Sequence, residues 1–98
     1  RPSTPVVYLA ATVTPFVEER GLEVVARYTT HNRAAAAFCA AQGAVEFVPS
    51  AGFQARHMFY LGDNHHLNAT GHAALGGLLA PAVRRAVEYA EQLAGLAS

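Results

Sequence analysis

Apolar positions fall along this chain in short blocks of differing period, and together they predict a strand, a helix, a strand, a loop and a helix. Residues 5–11 (PVVYLAA) form an unalternating apolar run, rich in β-branched and aromatic side chains, directly after a proline. That is the pattern of a strand covered on both faces, as in a parallel sheet. Residues 12–21 carry Pro15 and Gly21 and predict a loop, with one helical turn over 16–20. From 22 to 42 the composition favours helix, although Thr29, Thr30 and Asn32 interrupt its first half. Thr30 or Asn32 is placed to cap a helix that starts near Arg33, runs through AAAAFCAAQ and stops at Gly43. Residues 44–48 (AVEFV) alternate briefly before Pro49, Ser50 and Gly52, which predicts a second strand. A helix returning to a strand is the second half of a βαβ unit.

Residues 53–68 keep no period, and Gly62-Asp63-Asn64 within them is a turn-forming sequence. The apolar stretch 58–61 (MFYL) supplies anchors for this irregular segment. Irregular polar segments after a strand are where α/β proteins place functional groups. The last element is a helix over 70–94, with Leu79, Val83, Val87, Ala90 and Ala94 along one face. Pro81 should kink it, because it has no N–H for the carbonyl of Gly77.

Composition narrows the function. Seven basic and seven acidic residues give a formal net charge of zero, so nothing favours nucleic acid or an anionic membrane surface. The 52% hydrophobic content against 14% charged is high for a free-standing domain of 98 residues. It is better matched to a chain partly covered by further polypeptide. The chain opens at Arg1 almost directly on a buried-strand pattern, from which a processed or cut boundary is expected. Cys39 is the single cysteine, which excludes an internal disulfide and a cysteine-based zinc site. On an alanine-rich helix it is expected to be a small buried residue. No run of about 18 apolar residues is present to span a membrane, and no compartment is assigned.

The chemistry concentrates in residues 63–72, which read Asp63, Asn64, His65, His66, Leu67, Asn68, Ala69, Thr70, Gly71, His72. Histidine is the side chain that exchanges protons near neutrality. A carboxylate three residues earlier can fix its tautomer and stabilise its cation, as acyl transfer by a serine requires. One turn then delivers both groups to the same cleft, and the following helix holds them there. The stretch resembles the last catalytic segment of the SGNH (GDSL-type) serine hydrolases: an Asp, two variable residues, His, often Pro, then Asn, two small residues, Gly and an aromatic or His. Leu67 stands where proline is frequent. The upstream order of strand, helix and strand also agrees, so the resemblance is strong over residues 60–80 and a matter of layout elsewhere.

This resemblance implies an α/β, three-layer, flavodoxin-like fold with a parallel sheet, of which residues 1–98 are the C-terminal portion. It implies a carboxylic ester hydrolase, esterase- or lipase-like, acting on a small ester or an acylated carbohydrate. Asp63 and His66 are its expected acid and base, and no cofactor or metal is required. The family's Gly-Asp-Ser nucleophile, oxyanion glycine and oxyanion asparagine all lie upstream of the strand at Val6. Asn32 follows that strand and cannot fill the asparagine role, and Ser3, Ser50 and Ser98 lack the nucleophile setting. A complementary N-terminal chain or segment is therefore the expected partner, and this chain alone is expected to be inactive. A transacylase using the same triad, and a non-catalytic α/β binding module, are the alternatives.

Other features have plainer readings. His65 gives the alternative Asp-x-His spacing, but the register to Asn68 and Gly71 favours His66; His65 is expected to be a partly exposed loop or substrate-side residue. His57, His65, His66, His72 and Asp63 match no familiar metal-ligand spacing, and His31 is too remote in sequence to assign. Asn68-Ala69-Thr70 fits a glycosylation sequon, yet Asn68 is better placed to tie the loop to the backbone, with Asn68 or Thr70 capping the helix. Arg84, Arg85, Glu88 and Glu91 are expected to form a solvated helix face of i, i+3 and i+4 pairs.

Overall fold

The computed structural model describes residues 4–50 and 56–97. Its elements are β1 (Val6–Leu9), α1 (Pro15–Glu18), α2 (Leu22–Ala40), β2 (Val45–Val48), a 3-10 turn (His57–Phe59) and α3 (Ala69–Ala97). β1 and β2 pair in parallel, with Val6 opposite Val45 and Leu9 opposite Val48. Backbone bonds from Val6 N–H to the Ala44 carbonyl (2.8 Å) and from Ala10 N–H to the Val48 carbonyl (2.9 Å) close the ladder at its ends.

Alternation along β2 sends Glu46 and Phe47 to opposite faces. Phe47 stacks on Tyr8 with ring centroids 5.9 Å apart and shares a cleft with Arg33 and Ala36 of α2. Glu46 faces the other way, where Arg85 of α3 grips its carboxylate with Nε at 2.8 Å and Nη2 at 2.5 Å. The two-stranded sheet thus lies between α2 on one face and α3 on the other. Arg85 therefore reaches across to the sheet rather than pairing only along its own helix as the sequence suggested.

Two expectations need correction. α2 is one helix from Leu22, not one that starts near Arg33. Its interrupting residues are accommodated: the Thr29 hydroxyl donates to the Val25 carbonyl at 3.2 Å, and Asn32 turns away from the helix to the end of β1. Of the two caps expected for α3, Asn68 takes the role, and Thr70 lies inside the helix. β1 is not covered on both faces within this chain, since Val6 and Tyr8 are 46% and 36% exposed. With two strands, each is an edge, and one helix per face cannot cover both.

Pro81 lies inside α3. It deprives the Gly77 carbonyl of its helical donor, and Gly76 and Gly77 are exposed there, so water can replace that bond. The buried apolar set is small: Ala10, Val13, Pro15, Val17, Cys39, Val48, Tyr60 and Ala82. Leu22 and Phe38 on α2, and Val83 and Val87 on α3, are left exposed. The chain presents 6529 Å² to solvent, against about 5,400 Å² for a compact monomer of this mass. Its radius of gyration is 16.0 Å, where about 13 Å is usual for 100 residues. Among the described residues, no helix is long and apolar enough to cross a membrane.

Candidate functional site

The acid–histidine segment is a tight hairpin. Tyr60 and Leu67 form an antiparallel bridge, and the Leu61 N–H donates to the His66 carbonyl at 2.8 Å. Inside it, Asn64 N–H donates to the Leu61 carbonyl at 2.9 Å, closing a turn over 61–64. Asn64 has φ 58°, a left-handed conformation that asparagine tolerates better than most side chains.

Asp63 serves two purposes at this turn. Its Oδ1 accepts the backbone N–H groups of His65 and His66, each at 3.0 Å. Its Oδ2 lies 2.5 Å from Nδ1 of His66. The His66 side-chain bond first, then the two backbone N–H groups, hold the Asp63 carboxyl well below the usual carboxylate range. The carboxylate is therefore ionised at neutral pH and cannot rotate without losing three bonds. Both side chains are open to solvent, His66 at 73% and Asp63 at 49%, and Nε2 of His66 has no partner among the described residues. The structure thus brings together the two expected site residues, with the second ring nitrogen unoccupied.

The Asn-x-x-Gly continuation has a structural cause. The Asn68 Oδ1 accepts Gly71 N–H at 2.8 Å, capping α3, while its Nδ2 donates to the carbonyls of Met58 (2.9 Å) and Tyr60 (3.2 Å). One side chain therefore joins the start of the helix to the strand-like stretch before the loop. At Gly71 an added Cβ would run into the Phe59 carbonyl oxygen and come within 2.9 Å of a Leu67 methyl. Only glycine lets the first turn of α3 lie this close to the Phe59 backbone.

The loop is fastened at its other side to the residues that follow β1. Phe16 N–H donates to the Asn64 carbonyl at 2.8 Å, and Asn64 Nδ2 donates to Glu19 at 3.1 Å. Thr14 Oγ1 lies 3.1 Å from Nδ1 of His65, whose ring packs on Phe16 with centroids 4.9 Å apart. Further back, the Asn32 amide grips both backbone groups of Ala11 at 2.9 Å. The acid–histidine loop therefore sits beyond the carboxyl ends of the two parallel strands, where open α/β sheets place their ligands.

Sequence reasoning missed Thr14 and Asn32. Thr14 was legible in principle, since a threonine before a proline is a helix-start signal, and it does cap α1 by accepting Val17 N–H at 3.2 Å. Asn32 had no local signal. His65 is exposed as expected but is bonded to Thr14 rather than free. His72 lies in the first turn of α3, and His31 lines a shallow cleft with Ala11, Arg27 and Tyr28. Ser50 is buried, and its hydroxyl donates to the Ala11 carbonyl at 3.4 Å; Ser3, Ser98, Gly52 and the start of the irregular segment lie outside the described residues. Among the described residues, no three His, Cys, Asp or Glu side chains converge to hold a metal ion. No protein-family model, curated protein or solved structure matches this chain.

Proposed function

We propose that this chain supplies the acid and the base of a serine ester hydrolase of the SGNH type, the remainder of whose site lies on an N-terminal polypeptide. The observation that carries the reading is the Asp63–His66 pair: an ionised carboxylate, fixed by two backbone N–H groups, bonded to Nδ1 of a histidine whose Nε2 is open. That arrangement suits a base acting through Nε2. Nε2 takes the proton of a serine hydroxyl as the oxygen attacks an ester carbonyl, then returns it to the departing alkoxide. Asp63 holds the tautomer and stabilises the imidazolium between those two transfers. In the second half Nε2 activates water, or an alcohol in a transacylase, against the acyl-enzyme. Small esters and acylated carbohydrates are the proposed substrate class.

Support for a further polypeptide comes from the surface left open, which exceeds that of a compact monomer. The polypeptide completing the domain is expected to carry the serine and the oxyanion donors and to add strands beside the sheet. The exposed pair without a nucleophile also suits a binding module that keeps only the fold. Hydrolysis of p-nitrophenyl acetate by the complete protein separates the two. His66→Ala should lower turnover by orders of magnitude with an unchanged circular dichroism spectrum; equal turnover in His66→Ala and wild type rules out the hydrolase reading.

A further inference from the structure

Thr14 is 7% exposed, and the two bonds of its hydroxyl determine the protonation of a neighbouring ring. Its oxygen already accepts Val17 N–H at 3.2 Å. If Nδ1 of His65 also donated to it, the hydroxyl proton would be left without a partner in a buried place, which folded proteins avoid. The proton is satisfied if it points to Nδ1 at 3.1 Å, and Nδ1 is then an acceptor. We propose that Thr14 locks His65 in its Nε2–H tautomer, and that the locked ring is the anchor that orients the Asp63–His66 pair. Adjacent histidines in one loop are thus held in opposite tautomers, since Asp63 requires the proton of neutral His66 on Nδ1.

The anchoring follows from the same contacts. The His65 ring is held between the Thr14 hydroxyl and the tilted ring of Phe16, over which the Arg20 guanidinium lies at 4.3 Å. Its other neighbour is the His66 ring, edge-on with centroids 5.6 Å apart. The backbone N–H groups of both histidines share Oδ1 of Asp63. Rotation of the loop about its base therefore breaks the Thr14 bond together with the bond from Phe16 N–H to the Asn64 carbonyl, and carries the Asp63–His66 pair with it as a unit. His65 is a positioning residue: it acts through His66 and makes no claim on substrate. Its role in acyl transfer rests on the hydrolase reading; the tautomers do not.

The test is nitrogen NMR of the imidazoles in this chain at about pH 8.5, two units above the ordinary histidine pKa. The expected spectrum shows His65 as Nε2–H and His66 as Nδ1–H. His65→Phe keeps a ring on Phe16 but removes the acceptor, and should lower the Nδ1–H to Nε2–H ratio of His66 by up to about fivefold, the weight of one hydrogen bond. His65→Asn offers an amide oxygen to Thr14 near the place of Nδ1 and should restore that ratio. His65 found as Nδ1–H in the wild type overturns the proposal, and so does a His66 ratio unchanged in His65→Phe. A chain with the expected spectra whose complete form hydrolyses no ester would retain the anchor and lose the hydrolase reading.

Discussion

Replacing Asn68 with alanine is the sharpest probe of how the site is built, because one side chain caps a helix and ties down the loop. Alanine removes the cap on Gly71 N–H, worth about 1 kcal/mol at a helix start. It also removes the partly buried bond to the Tyr60 carbonyl, at about 1 kcal/mol more. The bond to the Met58 carbonyl is exposed, and water should replace it at little cost. The total is about 2 kcal/mol, roughly a thirtyfold shift of the folding equilibrium. Asn68→Ser keeps an oxygen for Gly71 N–H but reaches neither carbonyl, and should lose about half as much. Urea unfolding followed by far-ultraviolet circular dichroism measures both variants. The Asn68→Ala midpoint should fall by roughly 1–2 M with an unchanged slope. An alanine variant within about 0.5 kcal/mol of wild type, or a serine variant as unstable as alanine, refutes the reasoning. The first outcome would mean the bonds are replaced by solvent; the second would mean the cap on Gly71 N–H contributes nothing.

Two further perturbations follow from the same loop. Gly71→Ala forces a Cβ into the Phe59 carbonyl and should cost about 1–3 kcal/mol, read as a lower thermal midpoint and as amide shifts spreading from Phe59 to His66; a silent substitution would show that α3 moves away freely. The folded Asp63 carboxyl titrates below its unfolded counterpart, so it adds stability at neutral pH. That contribution is present above about pH 4, where the unfolded carboxyl ionises, and is lost as pH falls through the lower folded value. Asp63→Asn should therefore flatten the acid side of the stability profile, and parallel profiles for variant and wild type between pH 5 and about pH 2 would contradict the assignment.

What the sequence determined by itself lies within single turns. The spacing of Asp63 and His66 puts carboxylate and ring on one tight turn, and the carboxylate also meets the backbone N–H groups two and three residues on. Asn68 and Gly71 stand at the cap and third helical position, so their roles follow from the start of a helix. The parallel pairing of the two strands was likewise legible from a helix joining two short apolar runs. Such contacts depend on backbone geometry over three or four residues, which residue type and order specify directly.

What only the tertiary structure decided are contacts that close long stretches of chain. Asn32 grips Ala11 across 21 residues, Arg85 holds Glu46 across 39, and His65 meets Thr14 across 51. Asn32 looked like a helix start because asparagine caps helices; in the fold its amide matches the two free backbone groups at the end of β1 better. Arg85 is exposed as expected, but the pleat of β2 turns Glu46 towards it, so its partner lies on the sheet rather than on its own helix. No local pattern encodes these choices. They arise when packing α2 and α3 on opposite faces of the sheet sets which polar groups lie within 3 Å of each other, and buried or half-buried groups then take the partners that packing provides.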